Sequence, residues 1–230
     1  MTETYLSPIW ISLKTVVTAT AITFILGIAA ARWMVNYRGR LKSLIDGLFI
    51  LPMVLPPTVV GLVLLVIFGR NGPIGKMLLQ LGTTVVFSWP ATVITAVVVA
   101  FPLMYLTVRG SFEQIDPNIE DAARTLGASE WKVFWSVTLP LAVPGVVSGA
   151  ILSFARALGE FGATLMLAGN LPGRTQTIPV AIYFAVEAGE PRTAWVLVLV
   201  VLCLSLSAIA GLAYWKGKNV GLRSISTDNG

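Results

Sequence analysis

Apolar residues along this chain come in long unbroken runs rather than in stripes of helical or strand period. Five runs reach the roughly 20 residues that a membrane-spanning helix needs. They cover about residues 9–31, 44–68, 85–108, 141–167 and 194–215. Between the third and fourth, over residues 116–140, the pattern changes to polar and charged positions interleaved with apolar ones. After residue 218 the chain turns polar, and residues 219–230 are expected to fray. The pattern predicts an all-α polytopic membrane protein with five transmembrane helices.

The charges orient those helices. Arg32, Arg38, Arg40 and Lys42 follow the first run, Arg109, Arg124 and Lys132 the third, and Lys216, Lys218 and Arg223 the fifth. The opposite side has only Arg70, Lys76, Arg174 and Arg192. Basic residues accumulate on cytoplasmic loops, so the N-terminus is expected outside and the C-terminus in the cytoplasm. This topology accounts for the net charge of +5, and no nucleic-acid partner is needed. Trp10, Trp33, Trp89, Trp195, Tyr214 and Trp215 fall near run ends, where aromatic side chains favour the membrane–water boundary. No basic segment precedes the first run and no small-residue cleavage site follows it, so a retained helix is expected there.

Composition removes several functions. At 56% hydrophobic and 12% charged, the chain would leave a soluble domain's surface undercharged. It has no histidine and a single cysteine, Cys203, so a His/Cys metal site, a histidine general base and an intrachain disulfide are all absent. An intramembrane enzyme would need a nucleophile with its base, or paired carboxylates, inside the spans. Only Arg156 and Glu160 carry charge deep in a run, since Lys14 and Asp46 lie near run ends.

The polar insert reads as two short helices. Asp116 before Pro117 is a helix-start signal, and Glu120 and Asp121 place negative charge near the first turn. Gly127 is expected to end the helix in a turn of positive φ. Ser129 can cap a second helix, Glu130 to Ser136, and Pro140 is expected to mark the entry to the fourth span. Ala122 and Ala123 are small enough to let a partner backbone approach. A plain connection would need only about four to six residues.

This insert resembles the coupling segment of the permease subunits of ABC importers. Their pattern is E-A-A, three residues, G, nine residues, I-x-L-P. It reads here as Asp121-Ala122-Ala123, Gly127 and Val137-Thr138-Leu139-Pro140, with Glu120 directly before it. The resemblance implies the type I importer permease fold in a prokaryotic inner membrane. It also implies that Glu120, Asp121, Ala122, Ala123, Gly127, Leu139 and Pro140 couple the chain to a cytoplasmic ATPase. ATP and magnesium would sit on that ATPase, and no cofactor is expected on this chain. The sequence contains no G-x-x-x-x-G-K-[ST]. Its nearest string, "GPIGKM" at residues 72–77, has the wrong glycine spacing and is expected to be a turn.

Over about residues 10–216 the chain looks most similar to molybdate permease subunits. The strings that carry the likeness are "LPMVLPPTVVG", "FSWPATV", "FARALGEFGA" and "PGRTQTIPVAIY". The third resembles the branch that carries tetrahedral oxyanions: molybdate, tungstate, sulfate and thiosulfate. Sulfate permeases of that branch tend to be longer, so molybdate or tungstate is the expected cargo and sulfate or thiosulfate the alternative. Partners implied by the resemblance are a second permease, the ATPase subunits and an extracytoplasmic oxyanion-binding protein, all about a chain embedded in lipid.

Residues for the path itself are Pro56, Pro57, Thr58, Arg156, Glu160 and Gly162. Pro52, Pro56 and Pro57 interrupt helical hydrogen bonds, which suits either a water-filled cavity or a packing kink. Arg156 and Glu160, spaced i to i+4, suit either the path or a structural pair along one helix. For a structural pair, loss of Arg156 is expected to lower the folded protein and a charge swap to restore part of it. Between the last two spans, Thr177, Pro179 and Gly189 read as cap, first turn and terminator of a short helix. Its Ile178, Ile182 and Ala185 are expected to face the bundle.

Overall fold

The computed structural model describes residues 2–227, and side chains over residues 6–211. Among these residues the chain is entirely helical, with four helices long and apolar enough to cross a membrane and a fifth span if one bent pair counts as one. The elements in order are α1 (Thr2–Asn36), α2 (Lys42–Val54), α3 (Pro57–Phe68), α4 (Pro73–Gln80), α5 (Trp89–Glu113), α6 (Pro117–Thr125), α7 (Glu130–Val133), a π turn (Phe134–Thr138), α8 (Leu139–Leu158), α9 (Gly162–Ala168), α10 (Ile178–Glu187) and α11 (Pro191–Thr227). The polar segment after residue 218, expected to fray, continues α11 as far as Thr227.

Helix α5 is the axis of the fold. One stretch packs Met104, Tyr105 and Val108 against Ala31 and Met34 of α1 and Ala142 and Val146 of α8. A second packs Val93, Ala96 and Ala100 against Val16 and Ala19 of α1 and Ala157 of α8. A third buries Ala91 and Val99 beneath Val60 and Leu64 of α3 and Leu167 of α9. Small residues let these backbones close up, as packing without a hydrophobic drive between helices requires. A Cβ on Gly149 of α8 would lie 3.0 Å from Met104 Sδ. Outward, large apolar side chains such as Ile25, Val66 and Leu199 remain exposed, as a surface that meets lipid demands.

One expectation, the proline interruption of the second run, becomes a sharp bend, and two others are corrected. The second run does not cross as one helix: α2 and α3 meet at 114°. Leu55 precedes Pro56, and Pro56 precedes Pro57, so proline sterics push both out of the helical region, to ψ of 144° and 137°. The fourth run ends early, at Leu158. After Gly159 and Glu160 the chain restarts as α9. The string "GPIGKM", expected to be a turn, opens α4, with Gly72 as its N-cap and Pro73 in its first turn.

Helix α10 stands where the sequence places it, with Ile178 and Ala185 buried, Ile182 packed against the cluster of Ile178, Ala181 and Leu197, and Gly189 at φ +71°. Its cap differs. The Thr177 hydroxyl makes no hydrogen bond, and the Ile178 N–H donates instead to Ser12 Oγ of α1 at 2.7 Å. A side chain 166 residues away thus satisfies a helix start that the local sequence appeared to satisfy itself.

Candidate coupling segment and broken-helix site

Two places in the fold combine irregular backbone with polar chemistry. The first is the insert, at the basic end of the bundle. Asp116 Oδ1 accepts from the Asn118 N–H at 3.0 Å and starts α6. At the other end, the Ala128 N–H donates to Ala123 O and the Gly127 N–H to Arg124 O, at 3.1 and 2.9 Å. This is the Schellman arrangement, and it needs the φ of +82° that Gly127 has. Ser129 Oγ then accepts from the Lys132 N–H and starts α7.

Pro140 does not break the chain. Glu130 to Leu158 form one continuous helical stretch, widened at the π turn just before the proline. A proline lacks the N–H that would close the preceding turn, and its ring crowds the carbonyl four residues back. One wider turn removes that conflict without interrupting the helix.

An ion-pair network holds the two short helices to the bundle. Glu120 Oε1 accepts from Thr138 Oγ1 and lies 3.6 Å from Arg32 Nη1 of α1. Its Oε2 lies 3.2 Å from Arg124 Nη2. Arg124 also pairs with Asp121 and Glu130, each at 2.6 Å, and Glu130 reaches Arg32 at 3.6 Å. Glu120 therefore points inward, as a brace. The outward face is apolar and small: Ala122 is exposed, Leu126 is 89% exposed, and Ala123 lines a cavity of about 230 Å³ with Lys132, Val133 and Val137. Leu139 is partly buried in the core and Pro140 is exposed.

Sequence reasoning missed Arg32, Arg124, Leu126 and Glu130 here. The Glu120–Arg124 spacing of i, i+4 was a readable signal for one of them. Nothing in sequence announces Arg32, which is 88 positions before Glu120.

A second brace at the same end joins α2 to α5. The Tyr105 hydroxyl donates to Asp46 Oδ1 at 2.6 Å, Arg109 pairs with the same oxygen, and Arg109 Nε donates to Glu113 at 2.7 Å. Asp46 and Arg109 stand in the sequence as isolated charges near run ends, and only folding brings them together.

The second place lies where α3 and α9 begin. Their starts touch: a Cβ on Gly162 would sit 3.1 Å from Pro57 Cβ and 3.3 Å from Thr58 N. Deeper in, a Cβ on Gly61 would come within 2.8 Å of Ala163 Cα, so glycine permits this contact too. Pro56 is the N-cap of α3, and its carbonyl accepts from Val60 N–H at 3.2 Å.

Glu160, with only 3% of its surface exposed, occupies the gap before α9. Its Oε1 accepts from the Ala163 N–H at 2.8 Å, and its Oε2 lies 3.0 Å from Arg156 Nη1 without the alignment of a hydrogen bond. Arg156 is the more exposed partner, at 32%. Hydroxyls surround the region: Thr15 meets Thr92 at 2.9 Å, and Thr95 meets Thr164 at 3.0 Å. The structure thus brings Pro56, Pro57, Thr58, Glu160 and Gly162 to one break in the bundle, with Arg156 tethered beside them. The pair does not run along one continuous helix as the spacing suggested, because the helix ends between its members.

The chain is similar to known proteins over most of its length. The chain is 50% identical over 188 residues to the molybdenum transport system permease protein ModB of Haemophilus influenzae, covering 80% of each chain. It is 44% identical to the protein of the same name from Escherichia coli K12, covering 81% of this chain and 82% of that one. It is 33% identical to a probable sulfate transport system permease protein of Chlorokybus atmophyticus, covering 91% and 73%. Among solved structures, a chain of the inward-facing MetNI methionine ABC transporter superposes with a TM-score of 0.71 at 17% identity, covering 91% of this chain and 93% of that one. This last likeness is one of fold. Residues 23–214 match the family model described as the inner membrane component of binding-protein-dependent transport systems, and the chain belongs to that family.

Proposed function

We propose that this chain is the membrane-spanning permease subunit of an ATP-driven importer whose cargo is molybdate or tungstate. The cargo reading is carried by its stronger similarity to molybdenum permeases than to a sulfate permease. Sulfate or thiosulfate, carried by the same branch, is the second reading, and the weaker similarity supports it.

In this proposal two copies enclose the path, because five spans are too few to surround it alone. Each copy docks one ATPase on the Ala122, Ala123, Leu126 and Gly127 face. ATP and magnesium belong to the ATPase, and this chain contains no phosphate-binding glycine motif. A separate oxyanion-binding protein delivers the cargo from outside. The path passes the break where α3 and α9 begin, since irregular backbone at membrane depth is tolerated where it faces protein or a water-filled cavity. Arg156 and Glu160 hold that break in shape.

Two measurements test these assignments separately. Titration of the cognate binding protein is expected to show tight binding of molybdate and tungstate and weak binding of sulfate. The reverse order would replace the cargo and leave the permease assignment standing. For orientation, a reporter active only in the cytoplasm is expected to work when fused after Gly217 and to be silent at Gly173. The opposite pattern would invert the topology and remove the insert from the reach of a cytoplasmic ATPase.

A further inference from the structure

The basic end of the bundle holds more cations than it can pair. Among the described residues there, Arg32, Arg109 and Arg124 take up Asp46, Glu113, Glu120, Asp121 and Glu130. Asp116 is engaged in the cap of α6. Arg38 and Arg40 are exposed and have no ion-pair partner among the described residues. Among the described residues nothing offsets these two charges, so this surface can accept an anionic group from another molecule.

Beside these arginines runs a groove of about 1110 Å³ between α1 and the outer face of α7 and the π turn. Its character changes along its length. Along α1 and the loop after it the lining passes from Ile25 and Ile28 through Arg32 and Trp33 to Arg38, and Glu130, Trp131 and Trp135 line the facing side. From Ile25 to the last residue of α1 is about 16 Å at the usual helical rise. Ile25 is 67% exposed and Trp131 72% exposed, which is costly for a protein surface in water and ordinary for one in lipid. The gradient from aliphatic through tryptophan to arginine is that of one membrane leaflet, read from acyl chain to headgroup.

We propose that this groove binds one anionic phospholipid, with its acyl chains along α1, Trp131 and Trp135 and its phosphate at Arg38, the arginine at its polar end. The cavity beside Ala123 lies on the other face of α7, lined by Lys132, Val133 and Ser136. ATPase docking and lipid binding therefore use opposite faces of one short helix. Glu130, which lines the groove and pairs with Arg32, lets a bound lipid clamp the coupling segment to α1.

Brominated lipids quench tryptophan at contact, and the groove supplies three. The experiment uses the full-length permease carrying Trp10→Phe, Trp89→Phe, Trp195→Phe and Trp215→Phe, which leaves only the three groove tryptophans, in phosphatidylcholine nanodiscs with or without its ATPase. Brominated phosphatidylglycerol is expected to reach half-quenching at a fraction about tenfold lower than brominated phosphatidylcholine. Arg38→Gln with Arg40→Gln is expected to remove that difference while quenching by phosphatidylcholine persists, which reports an intact groove. Equal quenching by the two lipids overturns the proposal, as does a preference that survives the double replacement. Loss of quenching by both lipids when the ATPase binds would assign the groove to the partner protein instead.

Discussion

Gly127→Val and Ala123→Trp are expected to leave the chain in the membrane and to abolish both ATPase binding and substrate-stimulated hydrolysis. The two changes act by different physics. No atom lies within 4 Å of where a Cβ on Gly127 would stand, so valine meets no clash there. It meets a φ of +82°, which costs an L-residue roughly 1–2 kcal/mol and a β-branched one more. The chain would recover that energy by abandoning the Schellman turn, and α6 would then swing relative to α7. Asparagine visits the left-handed region readily, so Gly127→Asn is expected to keep most of the coupling that valine loses. Ala123→Trp leaves the backbone alone and fills the cavity beside Lys132 and Val133. Co-purification of the ATPase with tagged permease, with hydrolysis in vesicles, reads both effects. Full binding and full stimulation in both variants would mean that this segment is not the coupling element.

Arg156→Ala is expected to lower the amount of folded permease sharply, and exchanging the two charges is not expected to restore it. Glu160 is buried, and its second oxygen has no hydrogen bond beyond the contact with Arg156. Removing one partner of such a pair leaves a buried charge uncompensated, at a cost of about 3 kcal/mol, near the low end because Arg156 is a third exposed. The swap fails because Glu160 also accepts the Ala163 N–H, and arginine at that position has nothing to accept with. This revises the expectation drawn from the i, i+4 spacing. Glutamine keeps an acceptor for Ala163 and carries no charge. Arg156→Ala combined with Glu160→Gln is therefore expected to be more stable than Arg156→Ala alone. Thermal unfolding of the four species in detergent gives the double-mutant cycle. A charge swap that recovers normal levels would remove Glu160 from its role at the start of α9, and a double variant no better than the single one would mean that no uncompensated charge is left when Arg156 is removed. Normal levels of folded protein with collapsed uptake would place the pair in the path.

Local signals were the readable ones. Asp116, Ser129 and Gly127 act on backbone groups two to five residues away, so their caps and turn could be read directly. The double proline at 56–57 was readable as an interruption, for the same reason. Pro140 stands in the first turn of α8, at the entry the sequence expects, and what the sequence does not announce is the widened turn at residues 134–138 that joins α7 to α8 without a break. Thr177 stands at the N-cap position as read, but its hydroxyl makes no hydrogen bond, and the Ile178 N–H is taken by Ser12 from another helix, which no local signal announces.

The sequence by itself determined the class of protein, the insert and its turn, and the residues at which helices could break. Hydrophobic run length, charge bias and cap chemistry are properties of short stretches and survive without the fold. Only the tertiary structure decided the angle between α2 and α3, the early end of α8, and the meeting of Gly162 with Pro57 and Thr58. Only it joined Arg32 to Glu120 and Glu130, and left Arg38 and Arg40 without an ion-pair partner among the described residues. These depend on which surfaces face each other across the bundle. A buried carboxylate such as Glu160 takes whatever donor and cation the packing presents, and no spacing along the chain specifies that.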